Sequence, residues 1–177
     1  MDRLTTWMVR IVRMLEIRNK MYLADKEQLW DYYYPELAAQ PEDILSLQKK
    51  LNVTLSQDYV DFLLRADGWK CFSQDVDLFG TRDFDAEIMI YARQLLNVEL
   101  EYHDSLQQIK DYLLPIAVSR TDKDLFVMVL TEGENFGQIV WLAGGEIDRF
   151  SSFIEFFNSM MEYNRLELEE MLNETEH

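Results

Sequence analysis

The stretch from Leu114 to Phe150 limits the possible folds more than any other part of this chain. Leu114-PIAV-Ser119, Asp124-LFVMV-Leu130 and Gly137-QIVWL-Ala143 are apolar or β-branched runs separated by polar and Gly-containing turns. Such runs predict neighbouring strands of an antiparallel sheet. Glu146-IDR-Phe150 reads as a fourth strand. Ser151 or Ser152 then offers an N-cap for a helix whose buried face carries Phe153, Phe156, Phe157, Met160 and Met161. Because strands cluster instead of alternating with helices, the expected class is α+β, with helices packed on a mostly antiparallel sheet of about four to six strands.

Upstream, helical spacing dominates. Ile44, Leu47 and Leu51 form one apolar stripe, and Tyr59, Phe62, Leu63 and Ala66 form the next. Ser56 sits where an N-cap hydroxyl would satisfy free N–H groups, and Gly68 can take the left-handed conformation that stops a helix. Phe84, Ile88, Tyr91, Leu95, Val98 and Tyr102 alternate steps of four and three, which predicts a longer helix with one buried stripe. Residues 3–23 read as an amphipathic helix with Leu4, Met8, Ile11 and Leu15 on its apolar face and Arg3, Arg10 and Arg13 on another. That helix can dock on the body or pack in a homodimer. The segment from Gln28 to Pro41 is an ordered connector anchored by Trp30 and Tyr32 to Tyr34. The chain therefore divides into an N-terminal helix and connector (1–40), one domain (41–166) and an acidic tail (167–177) expected to fray.

Charge narrows the partners. Residues 1–50 balance eight basic against eight acidic side chains, whereas the rest holds nine basic against 25 acidic, so the whole net charge of −16 lies beyond the first fifty residues. A body this acidic repels phosphate backbones, which argues against direct nucleic-acid binding and suits a cationic protein partner. One cysteine, Cys71, excludes an intramolecular disulfide and fits a reducing cytoplasm. No apolar run approaches the roughly 20 residues needed to span a bilayer. Arg10, Arg13, Glu16 and Arg18 interrupt any signal-peptide core.

Catalytic patterns find little support. His103 and His177 are the only histidines, so any triad would have to be built on His103. Six glycines form no phosphate-cradling loop. Asp75, Asp77, Asp83, Asp85 and Glu87 lack the spacing of a calcium loop. No catalytic residue, metal or cofactor is assigned. The same carboxylates instead suggest an acidic rim around Trp69, Phe72 and Phe79, aromatics that serve as partner anchors if exposed and as core if buried. Glu132 and Glu134 form a second acidic tip, in the turn Thr131-EGENFG. The candidate partner-binding set is Trp69, Phe72, Asp75, Asp77, Asp83, Asp85, Glu132 and Glu134.

The order of elements carries a resemblance. Leu55-SQDYVDFLLRADG-Trp69, Leu114-PIAVSRTDKDLFVMVL, Gly137-QIVWL and Ser152-FIEF-Phe157 follow in a sequence that resembles the SUKH superfamily, over roughly Pro41 to Asn158. That group includes yeast cell-wall-assembly regulators and many bacterial immunity proteins. Ser56 stands where family members commonly have Pro, Gln48 where many have Glu, and Asp67-Gly68 where Asn-Gly is common. The resemblance implies a non-catalytic protein that neutralises a cognate, basic toxin domain, such as a nuclease, by stoichiometric binding. The other reading it implies is a regulatory scaffold of the yeast type.

Overall fold

A computed structural model describes residues 3–174 of the chain, apart from the side chains of Leu4 and Glu174. Among these residues the order is α1 (Arg3–Ala24), α2 (Pro41–Leu51), α3 (Gln57–Leu63), β1 (Trp69–Ser73), β2 (Val76–Leu78), α4 (Glu87–Leu100), α5 (Asp104–Gln107), β3 (Leu113–Ser119), β4 (Leu125–Val129), β5 (Ile139–Leu142), β6 (Glu146–Phe150) and α6 (Phe153–Glu174). The six strands form one antiparallel sheet in the order β1-β2-β3-β4-β5-β6. This is the α+β architecture that the clustered strands imply.

Alternation along the strands sets the layers. Phe126 and Trp141 are register partners, and their rings meet Phe156 and Tyr163 of α6 at 5.1 and 5.9 Å, so α6 covers that face. The alternate side chains of β4, Leu125, Val127 and Val129, are equally buried, and α4 packs along β3 and β4. On the outer side of α6 lie α3 and α1. Trp7 is the hub there, with ring centroids 5.7, 5.5 and 5.3 Å from Phe62, Phe153 and Phe157. Contacts between α1 and α6 advance together, from Trp7 with Phe157 through Arg10 with Asn158 to Arg18 with Asn164, so the two helices run in the same direction.

Two of the three long helices, α1 and α4, are turned from the expected phase. In α1 the buried seam is Trp7, Ile11, Met14, Arg18 and Met21, while Met8 is exposed and Leu15 half-buried. Leu4, also expected on the apolar face, has a side chain outside the described ones. In α4 the seam is Met89, Ala92, Leu96, Glu99 and Leu100, while Val98 is 55% and Tyr102 79% exposed. Each seam contains a charged residue, which hid it from a search for apolar repeats.

Local signals also resolve differently from expectation. Ser56 occupies the N-cap of α3 in extended geometry, but its buried hydroxyl bonds nothing there. Gln48 accepts the Leu55 N–H at 2.8 Å instead and pins the turn between α2 and α3. A Glu at that position would present the same acceptor. Helix α3 ends at Leu63, so Gly68 does not stop it. The α6 N-terminus is capped as expected, with the Glu155 N–H donating to Ser152 Oγ at 3.2 Å and the Ser151 N–H donating back to Glu155 Oε2 at 2.6 Å. The helix then continues through Glu167, where fraying was expected, to Glu174; the last three residues lie outside the described ones.

Candidate functional site

The aromatic exit from α3 faces inward. Trp69 is 1% exposed and donates its indole N–H to the Tyr33 carbonyl at 2.8 Å, while Phe72 is 0% exposed with its ring 5.9 Å from Phe156. Neither side chain is available as a partner anchor, and the core reading of these two residues holds. The cause is a bulge in β1, where Cys71 takes a left-handed conformation (φ 48°) and Trp69, Cys71 and Phe72 are all buried. Burial pushes the Cys71 thiol up to about 11, which makes it inert.

Asp75 and Asp77 are also committed within the molecule. Asp75 accepts from Ser119 Oγ at 2.7 Å, from the Thr121 N–H at 2.8 Å and from the Thr121 hydroxyl. Partial burial alone would raise its pKa, but those bonds outweigh burial and hold it below the usual range. Asp77, 8% exposed, accepts the Cys71 N–H at 2.9 Å and pairs with Arg120 Nε at 2.7 Å. The two carboxylates bind the β1–β2 hairpin to the β3–β4 turn, which is a structural task.

Asp83 accepts the Gly80 N–H at 2.7 Å, and its carboxyl is raised by burial. Asp85 is exposed and pairs with Lys50. Glu132 and Glu134 are exposed in the β4–β5 loop. Strand β2 starts beside Ser119 and leads away from it, as β4 leads away from the β3–β4 turn. Asp75 and Asp77 therefore sit at or near one end of the sheet, and Asp83, Asp85, Glu132 and Glu134 lie towards the other. The eight candidate residues do not share a face, because period-2 and turn geometry sent neighbours in sequence to different places.

Several recesses open at the surface of the described residues. Beside Glu132, a cleft of about 720 Å³ is lined by Tyr112, Phe136, Asp111 and the turn after α2. At the opposite end, a groove of about 390 Å³ opens between the sheet and the second half of α6, with Asp124, Glu167 and Glu170 among its lining residues. The sequence reading did not single out these three residues, which are far apart in the chain and fit no spacing rule.

Burial raises the Asp124 carboxyl even though Trp141 donates an indole hydrogen bond to it at 2.7 Å, and neighbouring Asp122 and Asp75 act in the same direction. A carboxyl with a folded pKa above its unfolded value binds protons more readily in the folded state. Its contribution is complete below the ordinary carboxylate range and is lost as pH rises through the raised value. Asp124→Asn keeps an acceptor for Trp141 and removes the charge. Thermal melts are expected to show this variant more stable than the parent at pH 7 and equal to it near pH 3.

Among the described residues no group of three or more His, Cys, Asp or Glu side chains is placed to hold a metal ion. No helix among them is long and apolar enough to cross a membrane. A search of curated proteins gave no match. A family model described as SMI1 / KNR4 family (SUKH-1) matches residues 38–159. That span runs from the end of the connector into the first turns of α6 and includes the whole sheet, so the chain belongs to the SMI1 / KNR4 family (SUKH-1).

Proposed function

We propose that this SUKH-domain protein is a cytoplasmic immunity protein that neutralises a basic bacterial toxin domain by direct one-to-one binding, without turning over a substrate. The observation that carries this reading is the charge distribution. Beyond residue 50, 25 acidic side chains face nine basic ones on a family scaffold whose bacterial members include immunity proteins. Asp75 and Asp77 spend their charge internally, whereas Glu132 and Glu134 stand free at a loop tip. Exposed charge of this kind steers a cationic partner and raises the association rate more than the lifetime of the complex.

The test is co-expression with a candidate basic toxin domain, such as any that a neighbouring reading frame is found to encode, followed by binding kinetics. Growth is expected to be rescued, and association is expected to slow as salt rises. Reversing both tip charges, Glu132→Lys with Glu134→Lys, is expected to lower the association rate about tenfold and leave dissociation unchanged. No rescue, together with several stable cellular partners, would replace this reading with a scaffold of the yeast-regulator kind.

A further inference from the structure

The groove beside α6 brings aromatic rings together with two carboxylates that are themselves partly buried. Phe126 forms part of its floor, Trp141 and Tyr163 are among its walls, and Asp124, Glu167 and Glu170 supply carboxylates. Each of the first two carboxylates is anchored by an indole. Trp141 Nε1 donates to Asp124 Oδ1 at 2.7 Å, and Trp30 Nε1 donates to Glu167 Oε1 at 2.8 Å, with Gln74 Nε2 on the same oxygen at 3.4 Å. Among the described residues, no Lys or Arg nitrogen lies within 4.0 Å of any of the three. Asp85, Glu146 and Glu162, more exposed than Asp124 and Glu167, do have a cation beside them.

We propose that this groove seats an arginine side chain presented by the partner protein, its guanidinium held by Asp124, Glu167 and Glu170 against the rings of Trp141 and Tyr163. Three arguments favour that occupant. Neither Asp124 nor Glu167 has a cation in direct contact, and burial raises both above the usual range even though the Arg18 charge acts on Glu167 from further away, so a bound cation relieves a standing cost. A planar guanidinium can stack on an aromatic ring while its N–H fork reaches carboxylates, and its apolar stem covers a floor such as Phe126; a lysine ammonium offers only the charge. A volume of about 390 Å³ lies at the small end of the range for ligand pockets, enough for one long side chain rather than a helix. The molecule already places arginines over aromatic rings, with the Arg18 guanidinium 4.4 Å from the Tyr32 centroid and that of Arg10 5.5 Å from Trp7.

The partner in this inference rests on the proposed function, but the seat can be tested on the isolated full chain. The probe is a blocked Gly-Arg-Gly peptide titrated into isotope-labelled protein, followed through the Trp141 indole N–H resonance. A saturable shift is expected, with a dissociation constant on the order of millimolar. The citrulline peptide, which has the same shape without the charge, should give no shift, and the lysine peptide a several-fold weaker one. Asp124→Asn with Glu170→Gln should abolish the response with amide dispersion unchanged, while Glu132→Lys with Glu134→Lys, at the other end of the sheet, should leave it intact. Equal response to citrulline, or none to arginine, would overturn the seat. So would movement of the same resonance with protein concentration alone, which would make a second copy of the chain the occupant. Arginine binding without growth rescue would remove only the toxin as partner.

Discussion

Gly80→Ala is expected to lower the unfolding free energy by about 4 kcal/mol, a large share of the roughly 5–15 kcal/mol available to a domain. A Cβ at Gly80 would lie 1.9 Å from the Asp67 carbonyl oxygen and 2.4 Å from its carbon, and backbone cannot swing aside as a side chain can. Opposite it, Gly68 has φ +92°, and a Cβ there would come within 2.5 Å of the Gly80 nitrogen. Two glycines thus let the α3–β1 loop touch the segment after β2. The contact is clasped by Asp67, which accepts the Thr81 N–H at 2.6 Å and the Thr81 hydroxyl at 2.7 Å. Pushing Asp67 away would also break its N–H bond to Leu37 O and the Glu36 N–H bond to Gly68 O, which tie the connector to the body. Gly144→Ala is the control. It has φ +70° with nothing within 4 Å, so it should cost only about 1 kcal/mol for the left-handed backbone. Urea unfolding of the two variants separates close approach from conformational preference. Similar losses in both would sink the steric account.

The same glycines show how far a sequence can be read. Asp67-Gly68 is recognisable as a turn, but that the turn meets Gly80 is a long-range contact that no local rule supplies. Strands β3 to β6 were legible because each is a short run of apolar or β-branched residues bounded by polar turns. Helices α1 and α4 were legible as helices and misread in phase. Their true seams pass through Arg18 and Glu99, and apolar side chains beside those seams, Met8 and Leu15 in α1 and Ile88, Tyr91 and Val98 in α4, offered a more hydrophobic alternative about one position away. Glu99 belongs inside because its Oε1 accepts the Gly144 N–H of the β5–β6 turn at 2.6 Å. The candidate site suffered from the same limit. Acidic and aromatic residues that alternate between Trp69 and Asp85 looked like one surface, yet a bulge and a hairpin divide them among the core, the β3–β4 turn and the far end of the sheet.

Arg18 carries the second large effect. Its side chain is 1% exposed, and its guanidinium joins four segments of the fold. Nη1 donates to Asn164 Oδ1 of α6 at 3.2 Å, while Nη2 donates to the Asp31 carbonyl of the connector at 2.9 Å and to the Cys71 carbonyl of β1 at 2.6 Å. Tyr32 covers the group, and among the described residues no carboxylate forms an ion pair with it. Burial lowers its pKa, but an arginine starts so high that it stays charged. Arg18→Ala would leave two buried acceptors, on Asn164 and Cys71, unpaired at about 1–3 kcal/mol each, and the part-buried Asp31 carbonyl at less, against which stands the relief of no longer burying a charge. The net loss expected is about 4 kcal/mol. Arg18→Met restores the packing of the stem but none of the bonds, and should recover about 1–2 kcal/mol of that loss. If Met matched or exceeded the parent, the guanidinium bonds would contribute nothing net and the account would fail. Cys71 supplies a local readout. Its left-handed bulge is held by the carbonyl bond to Arg18, and its thiol is buried with a pKa pushed up to about 11. Freed of that bond, β1 should open more often, so thiol-labelling at pH 8 is expected to be faster in both variants than in the parent.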